Sequence, residues 1–252
     1  MAEPLLRVSG LVKRFGGLIA TNNLTLDIRP KEFHAVIGPN GAGKTTLIAQ
    51  ISGELAQDSG TIHFADEEIS HLAAPARTKL GLARTFQITQ LLNDYSVLDN
   101  VALAVQARSG HSFHFWSNAR EDRDLREPAA DYLDRVGLRN RAHVPVGELS
   151  HGEQKQLELA IAFATGPRLL LLDEPMAGLG AAESTHMIDL LRTLKGEVAI
   201  LLIEHDMDAV FALADRVSVL VDGQCIATGT SDAVRGNETV RVAYLGEADL
   251  QC

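Results

Sequence analysis

Unbroken apolar runs stand at residues 169–172 and 198–203, and a short apolar strand is predicted at 33–37, running into a glycine-rich loop. The two unbroken runs are too short for a helix and too continuously apolar for a strand with one wet face. They predict strands of a parallel sheet covered by helices on both faces. Residues 5–15 and 24–28 predict two further strands about a turn region at Gly16-Gly17. Residues 61–64 predict another, followed by an acidic turn at 66–68. Within 217–228 the pair Asp222-Gly223 predicts a hairpin turn. Residues 45–54 predict a helix. From about 88 to 165 strand signals give way to helical ones, and 119–141 mix Arg with Asp and Glu as a solvated helical surface does. Residues 110–117 interleave turn residues with Phe113, Phe115 and Trp116 and read as a loop, its aromatics a local core satellite or, as the alternative, a docking surface. The pattern is α/β with a helical insert, without internal repeats.

Three segments carry chemistry. Gly38, Pro39, Asn40, Gly41, Ala42, Gly43, Lys44 and Thr45 fit the phosphate-binding loop G-x-x-x-x-G-K-[ST] in full, with Thr46 next. The loop follows a predicted strand and opens a predicted helix, the context the motif requires. Small residues let backbone N–H groups wrap phosphate oxygens, and the helix points its positive end at the same anion. Lys44 is expected to reach the β- and γ-phosphates and Thr45 to ligate Mg²⁺. The run 169–175 then brings Asp173 and Glu174 to a strand end beside that loop. Two adjacent carboxylates there are costly unless a cation or a substrate water uses them. The economical assignment is Asp173 for the metal and Glu174 for polarising the attacking water. In the third segment, Ser150 followed by Glu153 predicts a capping box. The helix then continues with Leu157, Ala160, Ile161 and Ala164 spaced for burial. The capped start, with Gly152, leaves N–H groups free for an anion.

With these motifs in this order and spacing, the chain resembles the ATP-binding subunits of ABC transporters. Gln87, in Arg84-Thr-Phe-Gln87, matches the family's Q-loop, His205 its switch histidine, and Phe15 the aromatic that stacks on adenine. The resemblance covers nearly the whole chain. It implies a phosphate-loop NTPase core, a mixed sheet with helices on both faces, joined by an antiparallel β region and a helical insert. One domain would span 1–252, with core 1–87 and 166–252 and a helical subdomain at about 88–165. It implies ATP and Mg²⁺ as cofactors, with Gln87 joining Thr45 and Asp173 at the metal. It also implies a head-to-tail dimer, homo or hetero, in which ATP lies between the phosphate loop of one subunit and the Ser150, Gly152 and Glu153 segment of the other.

The family's usual signature is Leu-Ser-Gly-Gly-Gln. Here His151 and Glu153 take its third and fifth places, and Gly180 stands where a polar residue usually ends the segment after Asp-Glu-Pro. A narrower likeness, carried by 84–88, 111–116, 203–207 and the Ala243-Tyr-Leu-Gly-Glu247 ending, is to the branched-chain amino acid importer group. That implies membrane permease subunits, indirectly a solute-binding protein, and a peripheral place on the cytoplasmic face of the inner membrane. Lipopolysaccharide-export ATPases share the ending, so a lipid exporter is the alternative, with a non-transport ABC ATPase a distant third.

Charge and composition trim this list. The 252 residues carry 23 Lys and Arg against 33 Asp and Glu, a net charge of -10. That excess argues against nucleic acid as a partner. Repair members of the family need a long coiled coil and translation members two heads per chain; neither pattern is present. A small-molecule kinase would leave residues 149–154 without a task. Cys225 and Cys252 make neither a metal spacing nor a disulfide framework, which points to a reducing compartment. No apolar run approaches the roughly 20 residues that a bilayer requires, and Glu3 stands where a signal peptide has basic residues. At a membrane, another chain would have to hold this one.

Overall fold

A computed structural model describes residues 3–85, 91–109 and 122–242. Two sheets form the frame. The smaller is antiparallel, in the order β2-β1-β4-β5, from β1 (Leu6–Phe15), β2 (Leu18–Ile28), β4 (Ser59–Phe64) and β5 (Glu67–Glu68). The larger runs β10-β9-β3-β8-β7-β6. In it β9 (Arg216–Val221), β3 (Phe33–Ile37), β8 (Ala199–Ile203), β7 (Leu169–Asp173) and β6 (Leu82–Arg84) are parallel, and β10 (Gln224–Gly229) returns antiparallel at the edge. The mixed α/β fold expected from the sequence is therefore present.

Every residue of β3, β7 and β8 is buried, His34 and Asp173 included. The two-residue period of a strand decides which side each residue feeds. Leu169, Leu171, Leu201 and Ile203 pack with Leu47, Ile48 and Ile51 of α1 (Lys44–Ser52) and with Leu6, Val8 and Ile62 of the antiparallel sheet. Their neighbours Leu170, Leu172, Ile200 and Leu202 join Val101 of α3 (Val97–Ser109), Leu133 of α4 (Arg123–Arg135), Leu157 of α5 (His151–Ala164) and Leu191 of α6 (Ala181–Leu194). The parallel sheet is thus the middle layer, and the helices of the insert share its core.

Several boundaries depart from the sequence expectation. The second strand begins at Leu18 rather than residue 24 because β1 and β2 stay paired through register shifts, with Asn23 in the left-handed region at φ 52°. The acidic turn shrinks to Ala65 and Asp66, both at positive φ, and Glu67 and Glu68 pair with β4 as an exposed edge. The first helix stops at Ser52, since Gly53 adopts φ 83° and its N–H caps the last turn. β6 and α2 (Ala74–Lys79) carry too few residues for any periodicity to announce them. Residues 110–117 and 243–247 lie outside the described residues.

The hairpin at Asp222-Gly223 forms as expected, with φ 49° and 74° matching a tight two-residue turn. It does more than reverse the chain. The Gly223 N–H donates to Ala42 O at 3.0 Å, and the Asn22 N–H donates to Gly223 O at 2.9 Å. The turn is therefore a brace between β2 and residues 38–45.

Candidate functional site

Residues 38–43 bridge β3 and α1, where the strand's carboxyl end meets the helix start. Gly43 has φ 99°, and a Cβ there would lie 2.1 Å from Ala20 O, so no other residue fits. The curled backbone leaves the first N–H groups of α1 without intrahelical acceptors. Lys44 folds back over the loop: its Nζ donates to Gly38 O at 2.7 Å and to Pro39 O at 3.0 Å. Burial pulls the Lys44 ammonium below its ordinary range, against the opposing pull of Glu174 and Asp173. A cavity of about 280 Å³ opens over the loop, lined by Phe15, Leu18, Ala20, residues 40–46 and Glu174. Phe15 is half exposed at its mouth, with Lys13 Nζ 5.7 Å from the ring centroid.

The carboxylates come from β7, next to β8 in the sheet. Asp173 is in register with Ile203, and the Glu174 N–H donates to Ile203 O at 2.9 Å. Glu174 then turns at φ 50°, a left-handed conformation that a non-glycine residue adopts only when its surroundings enforce it. That turn takes its carboxylate to the loop cavity, while Asp173 stays only 2% exposed. Asp173 Oδ2 accepts from Arg84 Nη2 at 3.1 Å, and Oδ1 is buried with no hydrogen-bond partner among the described residues. Burial pushes the Asp173 carboxyl up, and the Arg84 guanidinium beside it pulls in the opposite direction. An unsatisfied buried carboxylate oxygen close to Lys44 suits a hard divalent cation of the Mg²⁺ type.

His205 stands at the end of β8 with its side chain 64% exposed and Nδ1 3.8 Å from Glu204 Oε2. It does not line the loop cavity. Glu204 itself is buried, and its carboxylate accepts from the N–H of Met176 at 3.0 Å and of His205 at 3.1 Å. It thereby ties the segment after Glu174 to the end of β8. Nothing in the sequence marks Glu204, one acidic residue among several. Arg84 lies in the stretch that carries Gln87 and has only that position to recommend it. Gln87 lies outside the described residues.

The Ser150 capping box forms in full. Ser150 Oγ accepts from the Glu153 N–H at 3.2 Å, and Glu153 Oε2 accepts from the Ser150 N–H at 2.9 Å. Ser150, Gly152 and Glu153 line a second cavity of about 250 Å³ with Glu183, His186 and Met187, distinct from the first. A Cβ on Gly152 would lie 2.6 Å from Glu183 Oε1. Gly180 leaves α6 without a side-chain cap, and Glu183 accepts the Gly180 N–H at 3.0 Å. One chain therefore brings together the phosphate loop, Asp173 and Glu174, and holds the Ser150 helix start elsewhere.

A parallel sheet carrying a phosphate loop and an acidic strand end beside it defines a phosphate-loop ATPase. The family description "ABC transporter" matches residues 21–177. A second, "Branched-chain amino acid ATP-binding cassette transporter", matches residues 224–249. The chain is 38% identical to the high-affinity branched-chain amino acid transport ATP-binding protein LivG of Escherichia coli K12, over 98% of this chain and 100% of that one. It is 39% identical to BraF, named likewise, of Pseudomonas aeruginosa, again over 98% and 100%. Among solved structures, the ADP conformation of an ATP-binding cassette from an ABC transporter superposes with a TM-score of 0.85 at 29% identity. That superposition covers 97% of this chain and 100% of the other. The chain belongs to the ATP-binding proteins of ABC transporters. No helix among the described residues is long and apolar enough to cross a membrane.

Proposed function

We propose that this chain is the ATP-hydrolysing subunit of an ABC importer for branched-chain amino acids or a related small solute. In this reading it works as one domain over 1–252, with a helical subdomain at about 88–165. It sits on the cytoplasmic face of the membrane, held by separate permease subunits and served indirectly by a solute-binding protein. The observation that carries the reading is the division of the site: the phosphate loop and Glu174 share one cavity, with Asp173 buried behind it, and the Ser150 helix start lines another. A second ATPase subunit, docked head to tail, would complete each site. The match over 224–249 and the names of the relatives support the branched-chain solute class.

Within the site, residues 38–46 bind the phosphates and Phe15 takes the adenine. Lys44 exchanges its two carbonyl partners for β- and γ-phosphate oxygens. Thr45, Asp173 and Gln87 would hold Mg²⁺, which when bound supplies positive charge against the phosphate oxygens. Glu174, at the wall of the loop cavity, orients water toward the γ-phosphorus and takes its proton. His205, exposed at the end of β8, reaches the γ-phosphate from the far side once the dimer closes. Ser150, Gly152 and Glu153 present the α5 start to the partner's nucleotide. Closure and reopening would drive the permeases between inward- and outward-facing states, with the helical subdomain carrying the signal. The test is reconstitution with candidate permeases and solute-binding protein in vesicles. Uptake of labelled leucine should require ATP and Mg²⁺; ATP-driven export of lipid without leucine uptake would overturn the reading.

A further inference from the structure

Arg84 ends β6 with its side chain only 9% exposed, and its guanidinium forks between two carboxylates. Nη2 donates to Asp173 Oδ2 at 3.1 Å, and Nη1 donates to Glu54 Oε2. The two acids differ. Asp173 is buried, whereas the Glu54 side chain is 39% exposed. Glu54 lies in the wall of a largely apolar groove of about 280 Å³ between the core and α5, which Arg84 and Leu91 also line.

The state of Asp173 is the telling part. Buried carboxylates normally fill their acceptor sites, yet one oxygen is tied to Arg84 and the other, Oδ1, is bare among the described residues. Such a half-satisfied acid is the signature of a ligand whose second partner is not protein. A residue that fixes a metal-holding carboxylate from behind controls which oxygen faces the ion. Arginine suits this task better than lysine, because its rigid planar fork sets the carboxylate's orientation as well as its charge. The far end of the fork needs an anchor of its own, and Glu54 provides one.

We propose that Arg84 is a positioning residue of the ATPase site: by gripping Oδ2 of Asp173 it presents Oδ1 to the metal that accompanies ATP, while Glu54 fixes the guanidinium plane. This rests on the assignment of Asp173 to the metal.

The test measures binding of a fluorescent ATP analogue to the full chain across a Mg²⁺ titration and in EDTA. It compares wild type, Arg84→Gln, Arg84→Lys, Glu54→Gln and Asp173→Asn. Arg84→Gln should keep the EDTA affinity, because the phosphate loop is untouched. Its half-saturating Mg²⁺ should rise about tenfold or more, the usual cost of losing a group behind a metal ligand. Arg84→Lys should fall between the two. A folded Arg84→Gln chain with a wild-type Mg²⁺ requirement overturns the proposal. If that variant does not fold, Glu54→Gln decides. A rise of up to about fivefold, the size of a partly exposed ion pair, supports the proposal, and no rise overturns it. Asp173→Asn separates this claim from its premise. Loss of the Mg²⁺ effect there, with none in Arg84→Gln, removes Arg84 alone. A wild-type response in both removes the metal assignment as well.

Discussion

The two parts of the nucleotide machinery are built in opposite ways. The phosphate loop is braced from three sides, by Ala20 on β2, Leu220 on β9 and the Gly223 turn, and its lysine is satisfied by Gly38 and Pro39 before any ligand arrives. At the Ser150 helix start Ser150 and His151 are exposed, and the segment is held by its own reciprocal cap, by Arg141 on Glu153 and by Glu183 against Gly152. A braced loop can select a triphosphate without help, since its donors are already aimed. An exposed helix start offers a few N–H groups and half a dipole, too little to hold a ligand unless another surface delivers it. The contrast assigns affinity to the first half and completion of the site to the second.

Four substitutions press on that contrast, in falling order of effect. Glu174→Gln should retain ATP and lower hydrolysis by about 10²- to 10⁴-fold, the range for losing a general base. The variant should elute as a dimer with Mg²⁺-ATP on a sizing column, and wild-type turnover would remove Glu174 as the base. Lys44→Ala should weaken nucleotide binding by at least about a hundredfold, because a phosphate is left beside an unpaired buried site. Fluorescent nucleotide titration reads this directly, and unchanged affinity would mean that backbone alone suffices. Ser150→Ala should separate the halves: nucleotide affinity of the isolated chain stays within about twofold, while hydrolysis drops about tenfold for one lost charge-assisted hydrogen bond. An equal fall in both would merge the two half-sites into one.

The smallest effect concerns the rim between Glu174 and His205. Burial raises the Glu204 carboxyl above its ordinary value of 4.5, outweighing the hydrogen bonds from Met176 and His205. Its stabilising share is therefore complete below that ordinary value and declines as pH rises through the folded one. Against Glu204→Gln, wild type should gain stability, and a higher Tm, as pH falls from 8 to 5. Thermal melts at the two pH values measure it, and a difference that grows toward pH 8 would reverse the sign.

Runs of apolar residues announce β3, β7 and β8 because both faces of those strands are covered; His34, buried against Ser218, is a polar exception within β3. β6 contributes only Leu82, Ala83 and Arg84, too few to show a period. The phosphate loop and the Ser150 cap are local motifs, in which neighbours along the chain make the geometry, and both are visible in the sequence. The roles of Arg84, Glu183 and Glu204 arise from partners 89, 31 and 28 residues away, at Asp173, Gly152 and Met176. No spacing rule encodes them. Gly180 is the local counterpart: α6 has no side-chain cap, and Glu183, three residues on, accepts only the Gly180 N–H.

The bracing of residues 38–45 also orders events during synthesis. β3 pairs only with β8 and β9, and Ala42 O receives the N–H of Gly223. A nascent chain that has completed the phosphate loop still lacks both neighbouring strands and the brace. At about 5–20 residues per second, roughly ten to forty seconds of translation separate the making of the loop from the making of its supports. Through that interval the apolar β3 must be shielded by something other than its final neighbours, and ATP has no finished cradle to select. A ribosome-bound chain halted before residue 199 should bind no nucleotide, and one released after residue 229 should.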